Sequence, residues 1–179
     1  MRVVAHLITG AALLATGAAF AQSSATLAAV PATAHIVVPI ALTLTNTGLF
    51  FGDIVASVTG GNVVLNPVDD TRTATGGLTL VGPDPFHSAL ITVTGQALRT
   101  FAITLPANGT VTLTGPGTAM PVNAFTAAVG ATALTAPFTR ALSATPGTLA
   151  FKVAGTLVVG ANQTVGDYAG TFPVTVAYN

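Results

Sequence analysis

Few residues in this chain are equipped to do chemistry. Outside the first twenty residues there are two histidines, His35 and His87, and neither has a His, Asp or Glu neighbour at a spacing that would build a metal site. His35 falls on the outward face of an extended stretch, and His87 opens a later one after "PDPF"; both read as surface residues. Asp69 and Asp70 in "NPVDDT" could touch a calcium ion, but the Gly-spaced run of oxygen ligands that a calcium loop needs is lacking, so the pair reads as a solvated turn. No serine sits in a G-x-S-x-G elbow, and the chain has neither Glu nor Cys, which leaves no acid–base pair and no thiolate or disulfide chemistry. Asn108 and Asn162 match the glycosylation sequon, a pattern too short to decide anything. The expectation is a protein that is not an enzyme, with no cofactor, no metal and no small-molecule substrate.

The first residues set the compartment. Met1-Arg2, a Leu- and Ala-rich apolar run to Phe20 and the small-x-small motif Ala19-Phe20-Ala21 have the pattern of a secretory signal peptide. The segment 1–21 is therefore expected to be removed, leaving one domain over 22–179 that is exported through the periplasm to the cell surface or medium. That mature chain carries only Arg72, Arg99, Arg140 and Lys152 against five aspartates. A basic stripe for phosphates is absent, so nucleic acid is not an expected partner. So bland an exterior is expected to be hidden in an assembly or held at a surface.

The elements that position these residues read as strands throughout. Ala34, Ile36, Val38, Ile40, Leu42 and Leu44 alternate along one apolar face. "LFFGDIV", "NVVLNP", "TATGGLTLV", "HSALITVTG", "RTFAITLP", "GTVTLTG", "MPVNAFTAAV" and "LAFKVAGTLVVGA" follow, each short and bounded by turn residues. The Ala/Thr/Pro-rich stretch 130–147 is expected to be a long loop. About nine or ten short strands and no change of composition predict a single all-β domain, an immunoglobulin-like antiparallel β-sandwich.

The last stretch, "GDYAGTFPVTVAYN", alternates again: Phe172, Val174, Val176 and Tyr178 share one face, with Gly166, Tyr168 and Gly170 leading into them. Gly166 and Tyr178 framing an apolar strand resemble the closing signature of subunits of chaperone–usher pili. The pieces "I-x-x-P-I-x-L" (Ile36–Leu42), "L-x-F-G" (Leu49, Phe51, Gly52), "G-T-L-x-V" (Gly155–Val159) and "Q-x-x-G-x-Y-x-G-x-F-x-V-T-V-x-Y" (Gln163–Tyr178) look like a bacterial secreted family known as domain of unknown function 4402. The "L-x-F-G" corner is also similar to spore coat protein U-like domains.

What these resemblances imply is a pilin-like fold in which the last strand borders a groove. A periplasmic chaperone and then a segment of the next subunit would fill it, with an outer-membrane usher assisting. The assembly residues would be Gly166, Tyr168, Gly170, Phe172, Val174, Val176 and Tyr178, the donor segment about 22–34, and the product a homo-oligomer or fibre. Two readings stay open. Either the chain is such a structural subunit, or its own first strand completes the domain and leaves a self-contained binding module at the cell surface.

Overall fold

The computed structural model describes residues 24–82 and 85–179; the expected signal peptide lies outside them. The chain divides into a unit ending at His35 and a second unit, Ile36–Asn179. The described part of the first, residues 24–35, contains no strand.

The second unit holds thirteen strands among the described residues. In chain order they are β1 (Ala41–Leu44), β2 (Ile54–Val55), β3 (Gly61–Leu65), β4 (Arg72–Ala74), β5 (Thr79–Leu80), β6 (Ala89–Thr94) and β7 (Thr100–Thr104). After these come β8 (Val111–Leu113), β9 (Met120–Val129), β10 (Thr132–Ala133), β11 (Phe138–Ala141), β12 (Thr148–Val159) and β13 (Thr175–Tyr178).

The spine is β12. Along one edge, Lys152–Leu157 pair with β9; along the other, Thr148–Val153 pair with β6 and Thr156–Val159 with β3. The ladder on the β9 side shifts register between Ala154 and Thr156, opposite Ala124 at φ 46°, the signature of a bulge in β9 that bends the sheet. The large sheet runs β1-β6-β12-β3-β4, with β8 and β10 attached through β9. Facing it is a three-stranded sheet, β11-β7-β13, and β2 pairs with β5 in a small ribbon. All pairings are antiparallel, and the molecule is a β-sandwich.

Alternation puts Val63, Leu65, Val93, Phe151 and Val153 of the large sheet inside with Phe101 of the small one, all essentially sealed from water. Burial of each such side chain stabilises the fold by about 1.5–3 kcal/mol, and no disulfide contributes.

Some elements depart from the sequence expectations. The extended face from Ala34 to Leu44 becomes a strand only at Ala41, after Pro39, whose ring nitrogen cannot donate to a ladder. Pro173 limits the closing strand in the same way to Thr175–Tyr178. The stretch 130–147, expected as a loop, contains β10 and β11; Phe138–Ala141 pair with β7 because Phe138 packs against the core.

Candidate functional site

Two strands leave an edge without a partner on the same side of the sandwich. Among the described residues β1 pairs only with β6, and β13 only with β7. Thr45 N donates to Leu90 O and Asn179 N to Thr100 O, which fixes the alternation of each ladder. The N–H and C=O groups of Leu42 and Leu44 on β1, and of Val176 and Tyr178 on β13, therefore point away from their ladders.

Between β1 and the segment leading into β13 lies a groove of about 370 Å³. Leu42 and Leu44 form one bank, Phe172 and Val174 the other, and Phe51, Ile91 and Val122 the floor. Among the described residues no charged side chain lines it. Leu42 and Leu44 on this bank are 37 % and 53 % exposed. The groove therefore offers main-chain hydrogen-bonding groups above an apolar floor, which suits an extended peptide and offers nothing for acid–base work.

Four of the seven residues expected to carry assembly alternate as anticipated. Phe172, Val174, Val176 and Tyr178 are half-buried against the core while Thr171, Pro173, Thr175 and Ala177 face out. Phe172 is anchored by the Phe125 ring, their centroids 5.0 Å apart.

Tyr178 does more. Its Oη donates to Val38 O at 2.8 Å and accepts from Gln96 N at 2.6 Å, while Gln96 Oε1 accepts from Val38 N at 3.3 Å. The chain preceding β1 is thereby fixed where it joins the sandwich.

Gly166 and Tyr168 lie away from the groove, and Gly170 at its margin, in the loop between β12 and β13. That loop is sewn to the Gly115-Pro116-Gly117 turn joining β8 and β9. Tyr168 Oη donates to Thr164 O at 2.9 Å and accepts from Gln163 Nε2 at 2.8 Å; the same amide donates to Thr118 O at 2.6 Å. A side chain at Gly166, φ 144°, would meet Pro116 at 2.6 Å, and one at Gly115 would meet the Tyr168 ring at the same distance. Gly170 lies against Thr112 and also borders the groove. Their shared spacing thus records a fastened loop beside the edge strand.

The "L-x-F-G" corner has an equally local cause. Arg72 Nη1 donates to Phe51 O at 2.6 Å and Asp53 O at 3.1 Å, Nη2 donates to Val81 O, and the guanidinium stands 4.4 Å from the centre of the Phe86 ring. Beyond this corner the groove opens into a wider cleft of about 990 Å³, sharing Leu49, Phe51, Leu113 and Gly170 with it.

The residues with chemical potential are occupied structurally. His87 Nδ1 and Nε2 lie 3.1 Å from Asn46 Nδ2 and Thr47 Oγ1. Asp70 accepts from Ser88 N at 2.9 Å and pairs with Lys152. Partial burial works to raise the Asp70 pKa, but these donors outweigh it and hold the carboxyl below its ordinary value. Asp69 accepts from the Thr71 hydroxyl and N–H, which hold it low as well. His35 lies in the first unit. Among the described residues no three His, Cys, Asp or Glu side chains gather as metal ligands.

Fold and groove together define an antiparallel β-sandwich with an open, apolar edge. The family model described as a domain of unknown function, DUF4402, matches residues 42–178, and the chain belongs to that family. Neither a curated protein nor a solved structure matches it.

Proposed function

We propose that this protein is an exported structural subunit of a surface fibre or coat, assembled by β-strand complementation between copies. The observation that carries the reading is an apolar groove between the open edge of β1 and the Phe172–Val174 segment that leads into the open-edged β13. An extended segment inserted there would bond to the outward groups of Val176 and Tyr178 on one side and of Leu42 and Leu44 on the other. Its alternate side chains would fill the space over Phe51, Ile91 and Val122. The occupant in the fibre is the segment 22–34 of a second copy, with Leu27 and Val30 as its largest apolar residues. A periplasmic chaperone strand would hold the same groove before assembly, and an usher would exchange the two.

The test is deletion of 22–34 from the mature chain. The truncated protein is expected to remain folded, to stop polymerising and to bind the 22–34 peptide added in trans. Fibres formed by the truncated protein, or full-length protein that stays monomeric with its groove unresponsive to peptide, would return the chain to the alternative of a self-complete binding module.

A further inference from the structure

The sparse charge of this molecule is not evenly spread. At the start of β12 lies the turn joining β6 to β7, where Gly95 N donates to Gly147 O. That turn presents Leu98 at φ 62° and 71 % exposed, followed by exposed Arg99. A bulky leucine in the left-handed region and in water is disfavoured on both counts, a combination that calls for a use.

The wide cleft lies at the far end of β12, bordered by Val159 and Asn162, so the two poles are roughly 35 Å apart along the strand. Its lips carry exposed apolar side chains, Phe50, Val55 and Val165, the last 94 % exposed. Its rim also carries the exposed carboxylate of Asp167. One pole is thus an apolar knob beside a cation, and the other an apolar hole with a carboxylate, Asp167, on its rim.

We infer that the Leu98–Arg99 turn of one copy seats in this cleft of the next, a head-to-tail contact between copies of the chain. Such a contact is heterologous and continues as an open filament. It deepens the strand-exchange reading, and the two share a geometry. Val38, where the chain enters the sandwich, is tied to Gln96 in the same turn. A segment leaving that pole to enter a neighbour's groove through the wide cleft brings Leu98 and Arg99 to the cleft's mouth. The steering charge pair, Arg99 against Asp167, fixes the polarity of addition.

The experiment uses the mature chain and two charge reversals, Arg99→Asp and Asp167→Arg, both at exposed positions. Circular dichroism first checks that each variant is folded. Sedimentation then gives the concentration of half-assembly at low and physiological salt. Each variant alone should need roughly five- to tenfold more protein than wild type, and an equimolar mixture should recover wild-type assembly, because the reversed turn then meets the reversed cleft. Wild-type behaviour of both single variants, or a mixture that fails to recover, overturns the contact.

Deletion of 22–34 separates this inference from strand exchange. If the deletion abolishes assembly while the reversals leave it untouched, strand exchange stands and the polar contact falls. If the deleted chain still associates weakly, in a salt-sensitive way that Arg99→Asp breaks, the contact stands without strand exchange. A monomer at every concentration removes both.

Discussion

Tyr178 shows how much one hydroxyl can organise. Its donor and acceptor reach backbone groups 140 and 82 residues away in sequence, joining the entry of β1, the β6–β7 turn and β13 at one point. Replacement by Phe keeps the ring but strands the part-buried Gln96 N–H and gives the exposed Val38 C=O over to water. Tyr178→Phe is expected to cost about 1–3 kcal/mol, read from the urea midpoint; an unchanged midpoint would mean that water replaces the phenol without loss. The alternation that placed Tyr178 on the inner face was legible in the sequence. The clamp was not, because its partners Val38 and Gln96 contribute main-chain atoms, which no side-chain pattern reports. Gly166 and Tyr168 misled in the opposite sense. Their spacing is real, but its cause is the Pro116 turn, a contact between loops distant in sequence.

At the scale of elements, the fold was legible wherever a strand was long and its two faces unlike. "MPVNAFTAAV" is β9 to the residue, and "LAFKVAGTLVV" lies within β12. It was illegible where a short strand is justified only by its neighbour. β11 has four residues in an Ala/Thr/Pro-rich stretch, and only its ladder with β7 makes it a strand. β1 and β13 are short too, and each has one ladder. Their outward amides, at Leu42, Leu44, Val176 and Tyr178, should exchange with solvent deuterium far faster than those of Val153 and Leu157 in the middle of β12. Addition of the 22–34 peptide to the truncated domain should slow these four selectively. Exchange at Val176 and Leu42 already as slow as in β12 would mean that the groove is closed without a partner.

For the whole molecule, sparse charge makes stability unusually simple in its dependence on pH. A salt bridge between Lys152 and Asp70 ties the spine strand to the β3–β4 loop. Because the folded Asp70 pKa is depressed, its stabilisation is fully present above the unfolded value near 3.8 and is lost as pH falls through the folded value. Both side chains are about 30 % exposed, so the contribution is held to under about 1 kcal/mol. Melting temperature should therefore be nearly flat from neutral pH down to about 4 and then decline. Lys152→Met should soften that decline; an acid limb identical to wild type would locate the titrating group elsewhere. The Tyr178 tie has a mechanical consequence. Tension applied to the chain at Ile36 would reach Val38 first, where two hydrogen bonds, to Gln96 Oε1 and Tyr178 Oη, pass the load into the β6–β7 turn and β13 before β1 is pulled. Force would thus be shared between both layers of the sandwich, and the weakest strand would not be peeled off alone.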